Sequence, residues 1–119
     1  MAGIHRAGTY PATFKTPLPP AQYSKIRVSF SQNQQLLIEK ENGDTGVTLN
    51  ADTVEVVLTQ AETLLFRPSA PSPMGGQTGT PAFVQIRCYK SDLDAPASAC
   101  WVVPVYDALN QQVMTGGGT

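Results

Sequence analysis

Residues 53–68, TVEVVLTQAETLLFRP, decide the fold. Val54, Val56 and Leu58 alternate with Glu55 and Val57, the period-two signature of a half-buried strand. The strand runs directly into Thr59-Gln60-Ala61-Glu62, which has the T-x-x-E spacing of a capping box. In that box the Thr59 hydroxyl accepts from the Glu62 amide, and the Glu62 carboxylate reaches back to the Thr59 amide. One helical turn follows, directs Leu64, Leu65 and Phe66 at the core, and stops at Pro68. The rest of the chain reads as sheet assembled around this strand-and-turn unit.

The flanking segments supply that sheet. Residues 23–31 (YSKIRVSFS) set Ile26, Val28 and Phe30 on one face and Lys25, Arg27 and Ser29 on the other. A polar turn at 32–34 returns the chain as a hairpin partner over 35–41 (QLLIEKE). Asn42-Gly43 is the strongest short hairpin signal in the sequence, and a short strand over 47–49 precedes the central unit. Further on, 82–90 (AFVQIRCYK) places Val84, Ile86 and Cys88 opposite Phe83, Gln85, Arg87 and Tyr89. Residues 91–98 form a turn. Residues 99–106 (ACWVVPVY) form the last strong strand, which Pro104 marks as an edge or a bulge. Residues 107–114 read as either a helical turn or a strip of strand.

The ends and one loop read differently. Residues 1–21 carry Pro11, Pro17, Pro19 and Pro20 with Gly3 and Gly8, a composition that forbids helix and suits either a disordered leader or an extended arm, of which the arm is the reading taken. Residues 67–81 are crowded with proline and glycine, and structureless loops of roughly 15 residues are functional or disordered. Residues 115–119 form a glycine tail. Short strands with turn signals at eight- to twelve-residue spacing describe an all-β chain, an antiparallel β-sandwich of Ig-like type with an open barrel as the alternative. The expected organisation is an arm over 1–21, a sandwich domain over 22–114, and the tail.

At 119 residues the chain is one domain. Its charged fraction, 14%, is low against about 25% in ordinary globular proteins, and sparse charge suits a subunit with part of its surface covered. A net charge of −1 offers no basic face for nucleic acid. No run of about 18 apolar residues is present to span a membrane. Residues 1–14 lack the apolar stretch of a secretory signal, so synthesis in the cytoplasm of the producing cell is expected.

No catalytic constellation assembles. His5 is the single histidine and lies in the arm, so neither a Ser-His-Asp nor a Cys-His arrangement can be built on a rigid scaffold. Glu39, Glu41, Glu55 and Glu62 present no obvious acid/base pair. Asp44, and Asp92 with Asp94, sit in turns. They lack the twelve-residue calcium pattern, and turn chemistry explains them. Residues 75–79 are glycine-rich without the lysine of a phosphate loop. Cys88 and Cys100 come opposite each other if 82–90 and 99–106 pair, which makes a cross-strand disulfide conceivable. Two buried thiols acting as small apolar side chains are the favoured alternative. Trp101, Tyr89, Phe83 and Tyr106 read as core packing before a binding platform. The expectation is a protein without metal, cofactor or enzymatic activity.

From Ile26 onward the order of elements resembles small proteins encoded in phage and prophage structural-gene clusters of Firmicutes. The matching stretches are IRVSFSQNQQLLIEK, VEVVLTQAETLLFRP, VQIRCYK and VYDALNQQVM. In that group a V-T-F-x-Q strand, an L-T-Q-x-E-T-L-x-F turn, a Q-I-R strand and a D-x-L-N-x-x-V segment recur in this order. The resemblance spans residues 25–114, and LTQAETLLF at 58–66 is its most specific part. The best-described relatives are N-terminal modules of phage baseplate proteins, so the resemblance implies a virion component and no particular chemistry. The arm and the long 69–81 loop depart from the pattern.

These readings converge on a non-enzymatic virion structural protein of tail, baseplate or capsid. It would be homo-oligomeric or joined to other virion subunits, without nucleic acid or membrane. The expected interface residues are Tyr10, Pro11, Phe14, Pro17 and Pro19 on the arm, with Pro73 and Met74 in the loop. An arm held extended by proline adds to an exposed sheet edge with little order to lose, and the edge near Pro104 needs such cover. Removing 1–21 would then leave a folded monomer that no longer assembles. A carbohydrate- or peptide-binding module using Tyr89 and Trp101, and a small inhibitor of a host protein, are the rival readings.

Overall fold

The strand expected at 53–58 is paired on both sides, and its partners include the segment read as an arm. In the computed structural model, which describes residues 3–69, 80–91, 93 and 99–106, the elements run in chain order. They are β1 (Ile4–His5), β2 (Tyr10–Lys15), a 3-10 turn (Pro20–Gln22), β3 (Lys25–Gln32), β4 (Gln35–Glu41), β5 (Val47–Leu49), β6 (Thr53–Leu58), α1 (Gln60–Thr63), β7 (Ala82–Tyr89), β8 (Ala99–Val103) and β9 (Val105–Tyr106).

A three-stranded sheet has the order β2-β6-β5 and a four-stranded sheet the order β4-β3-β7-β8. All pairings within both are antiparallel. The two sheets face each other across one apolar core. Tyr10, Ala12, Phe14, Val54, Val56 and Leu58 come from the first sheet, and Ile26, Val28, Phe30, Ile38, Val84, Ile86 and Val103 from the second. The shortest dimension of the molecule, 19 Å, is that of two sheets about 10 Å apart with their outer side chains. The sheets remain separate, so the chain is a sandwich and not an open barrel.

The extended arm is therefore corrected. Residues 10–15 pair along their whole length with β6, from Tyr10 opposite Leu58 to Lys15 opposite Thr53. Tyr10 and Phe14 are 3% and 1% exposed. The alternation Tyr10, Ala12, Phe14 is a strand signal that the surrounding prolines obscure. Pro11 does not break it, for a reason of backbone direction. The Val57 N–H donates to the Gly46 carbonyl, so Val57 turns its backbone groups toward β5. Alternation then sends those of Val54, Val56 and Leu58 toward β2, where Tyr10, Ala12 and Phe14 answer them. Pro11 falls between, where its missing N–H would have pointed off the sheet edge.

Pro17, Pro19 and Pro20 serve the crossing from one sheet to the other. The Leu18 N–H donates to the Tyr23 hydroxyl at 3.2 Å, and the Thr16 hydroxyl donates to the Leu18 carbonyl. β1 pairs in parallel with β9 and buries Ile4 in the core.

The β3–β4 hairpin forms as expected, around Asn33 and Gln34 at φ values of 54° and 62°. Asn42-Gly43 does not make the hairpin its sequence suggests. Asn42 Oδ1 accepts from the Ile26 N–H at 3.0 Å and caps the start of β3, while the turn carries the chain across to β5 in the other sheet. Gly46, at φ +86°, ends that crossing. A Cβ there would stand 2.9 Å from the Val57 carbonyl oxygen, so the close pairing of β5 with β6 requires glycine.

The capping box forms as read: the Glu62 N–H donates to Thr59 Oγ1 at 3.2 Å and the Thr59 N–H to Glu62 Oε1 at 3.0 Å. Phe66 is buried, but Leu65 points outward at 54% exposure, because one helical turn cannot aim adjacent residues at one core. Residues 107–114, and the tail at 115–119, lie outside the described residues.

Since β2 supplies half of the first sheet's apolar layer, Phe14→Ala is expected to lower stability by about 3–5 kcal/mol. Deleting residues 1–21 should abolish the cooperative urea transition. A truncated chain that still unfolded cooperatively would restore the arm reading.

Candidate interaction surface

The outer face of the four-stranded sheet carries the surface with the most chemistry. Strand register arranges it in rows. One row runs Leu36, Ser31, Phe83, Val102 across all four strands. Its apolar members are exposed by 55%, 36% and 61% respectively. The next row is polar: Glu39, Ser29, Gln85, Cys100. The next is charged: Glu41, Arg27, Arg87. Thus an apolar strip crosses one end of an otherwise polar sheet.

The charged row is tied to the sheet. Arg27 Nε and Nη2 donate to Glu41 Oε1 at 2.9 and 2.6 Å, and Arg27 Nε lies 3.3 Å from Glu39 Oε1. The Glu41 hydrogen bond, with the charges of Glu39 and Glu41, holds the Arg27 pKa above its ordinary value. Two carboxylates on β4 thereby offset the facing guanidiniums of Arg27 and Arg87.

Behind the apolar strip lies a buried polar device that the sequence does not reveal. Gln32 closes β3 with its side chain turned inward. Gln32 Nε2 donates to the carbonyls of Arg67 and Thr80 at 2.7 and 2.8 Å, and Gln32 Oε1 accepts from the Arg67 N–H at 2.7 Å. One amide thus ties together the chain entering and the chain leaving residues 70–79. Ser69 continues the seam: its N–H donates to the Val105 carbonyl and its hydroxyl accepts from the Val105 N–H.

At the side of the sandwich, Lys40 Nζ meets Glu62 Oε2 at 2.6 Å and ties the four-stranded sheet to the capping turn. Burial pushes the Glu62 carboxyl up. The hydrogen bonds from Lys40 and the Thr59 amide, with the Lys40 charge, outweigh it and hold the group below its ordinary 4.5. Thr63 docks the same turn from below, its hydroxyl 2.7 Å from the Gly8 carbonyl.

The expected site residues are dispersed. Tyr10 and Phe14 belong to the core and cannot face another subunit; burial alone pushes the Tyr10 phenol up to about 12. Pro11, Pro17 and Pro19 are exposed. Pro73 and Met74 lie outside the described residues. Cys88 and Cys100 are free thiols, one buried and one exposed. Register sets Cys100 opposite Gln85, three positions from Cys88, so the cysteines occupy opposite faces and cannot be bridged. Burial raises the Cys88 pKa and keeps it a thiol.

The aromatic residues form no common platform. Trp101 turns inward, its ring 5.2 Å from that of Phe14, whereas Phe83 and Tyr89 face out. Tyr106 stacks on His5 at 4.9 Å. Asp44 is engaged in its turn, accepting from the Glu41 N–H at 2.7 Å. Among the described residues no group of three or more His, Cys, Asp or Glu could hold a metal ion, and no helix is long and apolar enough to cross a membrane.

Sequence reasoning missed Gln32 and the apolar strip. The strip had a signal, since Phe83 and Val102 are apolar at outward positions of their strands. Gln32 had none, because its partners are backbone groups far along the chain. No protein-family model matches the chain, and no curated protein matches it.

Gln32→Leu leaves the Arg67 N–H and two carbonyls without their partner. It should cost about 1–3 kcal/mol in chemical denaturation, against a negligible change for the exposed Gln34→Leu. Glu62 gives a pH test. Its folded pKa lies below the unfolded value, so its stabilising contribution is complete above pH 4.5 and is lost as pH falls through the folded value. Glu62→Gln should flatten the acid limb of the stability profile; an unchanged limb would show that the pair contributes nothing.

Proposed function

We propose that the chain is a non-enzymatic structural protein, a tail, baseplate or capsid-associated subunit of a phage particle that assembles with neighbouring subunits. The observation that carries this reading is the exposed strip Leu36–Phe83–Val102 on a sheet face whose next two rows are polar and charged, with Arg27 tied to Glu39 and Glu41. Apolar side chains lined up on a rigid sheet suit a protein partner; a small molecule favours a concave site. The low charged fraction, 14%, agrees with a surface partly covered by neighbours.

The resemblance to phage structural proteins rests most on residues 58–66, and five of the seven recurring residues there have a structural task. Leu58 and Phe66 enter the core, Thr59 and Glu62 form the capping box, and Thr63 binds the Gly8 carbonyl. Such a motif marks a shared fold. It supports a structural protein better than a shared ligand. The inward turn of Trp101 argues against the stacking platform that a carbohydrate-binding module would need.

Light scattering across a concentration range tests the proposal. The intact protein should form a defined oligomer or grow into larger assemblies. Phe83→Glu with Leu36→Lys should lower the mass without lowering the melting temperature, because both side chains lie outside the core. A monomer at every concentration whose Trp101 fluorescence responds to saccharides would replace this reading with the binding module.

A further inference from the structure

Among the described residues, β8 is the outer strand of the four-stranded sheet and pairs on one side only. The Asn42 N–H donates to the Ile26 carbonyl at 3.1 Å, so Ile26 turns its backbone polar groups toward β4. Alternation sends those of Lys25, Arg27, Ser29 and Ser31 toward β7. The β3–β7 register then assigns Ala82, Val84 and Ile86 to β8, where they meet Val103, Trp101 and Ala99. Cys100 and Val102 remain. Their N–H and C=O groups point away from β7, along the sheet edge.

Other sheet edges carry the protections that native proteins use. β2 has Pro11 and Lys15 at outward-directed positions, β4 has Glu39 and Glu41, and β5 is three residues long. β8 reads ACWVV, with no charge and no proline before Pro104. Where the same edge continues past Pro104 it already accepts a strand. The Ile4 and Arg6 N–H groups donate to the Pro104 and Tyr106 carbonyls at 2.9 Å each. The edge geometry is thus competent for strand addition, and β1 occupies one end of it.

We propose that β8 pairs antiparallel with β8 of a second copy, across a two-fold axis at Trp101. This rests on the subunit reading and names one of its contacts. The register follows from the outward groups. With Trp101 opposite its counterpart, Cys100 stands opposite the partner's Val102, and each outward N–H of one strand meets an outward C=O of the other. Within Ala99–Val103 no other antiparallel register satisfies all of these groups symmetrically. The pairing sets no charge against a like charge. It also covers part of Val102, which is 61% exposed, by setting the second copy's Cys100 beside it.

The test uses the full chain and substitutions at Val102. Its N–H bonds nothing on β7, so Val102→Pro removes an edge donor and leaves the β7–β8 ladder intact, as Pro11 does on β2. Val102→Lys places a charge on the edge without touching the backbone. Sedimentation should show a dimer whose dissociation constant rises about tenfold or more in either variant. Hydrogen exchange should show the Cys100 and Val102 amides protected only at concentrations where the dimer forms, with the Trp101 amide protected throughout.

A dimer unaffected by Val102→Lys, or Cys100 and Val102 amides that exchange freely in it, would overturn the edge pairing and leave the subunit reading standing. Those amides protected in a monomer at every concentration would show the edge covered from within the chain, which also overturns the pairing. If Val102→Pro does not fold, Val102→Lys and the exchange pattern decide.

Discussion

The pairing of β2 with β6 is the contact on which the rest of the molecule depends. It joins the start of the chain to its middle and completes the apolar layer that the four-stranded sheet must cover. Phe14, Tyr10 and Ala12 stand beside Val54, Leu58 and Val56 across the pair. Each large side chain so buried contributes about 1.5–3 kcal/mol by removal from water. Without β2 the inner faces of β3 and β7 would open to solvent, and β6 would become an edge with its backbone groups unpaired. Rings carry the contact across the core: Tyr10 meets Phe30 edge-on at 6.5 Å, and Phe30 meets Phe66 at 6.3 Å.

A sandwich of two small sheets has many seams where the chain leaves one sheet for the other, and backbone groups there have no ladder to join. Side chains take that role. Asn42 caps the start of β3, Ser69 meets β9, the Thr59–Glu62 box opens the helical turn, and Gln32 binds chain on both sides of 70–79. Each is a short polar side chain placed where a buried or half-buried N–H or C=O would otherwise lose its hydrogen bond. The fold is apolar between the sheets and polar at every crossing.

The outer surface shows how the same alternation that makes a core also exposes what remains. Phe83 and Val102 occupy outward positions on strands whose inward residues are fully committed to the core. Their exposure is therefore a property of the sequence in that register, not of loose packing. A face of this kind, beside an uncharged edge, suits association through sheets. It asks for no cleft and no reactive group, which is why the functional proposal rests on surfaces.

Much of this was legible in the residues. Alternation placed β3, β6 and β7 with their faces, the T-x-x-E spacing gave the capping box, and Pro104 marked the outer strand of the larger sheet, because these depend on neighbours a few residues apart. The segment 10–15 was misread for a reason of the same kind. Proline argues against a strand only where its missing N–H would face a partner, and residue order does not say which way a backbone group points. Asn42-Gly43 misled because a turn signal specifies a reversal, not the sheet in which the chain continues. The sequence by itself determined which residues face inward along β3, β6 and β7 and where the turns fall. The tertiary structure alone decided which strands pair, that β2 belongs to the core, that Cys88 and Cys100 stand on opposite faces, and that Gln32 binds Arg67 and Thr80. Those outcomes depend on register and on contacts between residues far apart in the chain, and the free energy of such contacts exists only once both partners have been brought together.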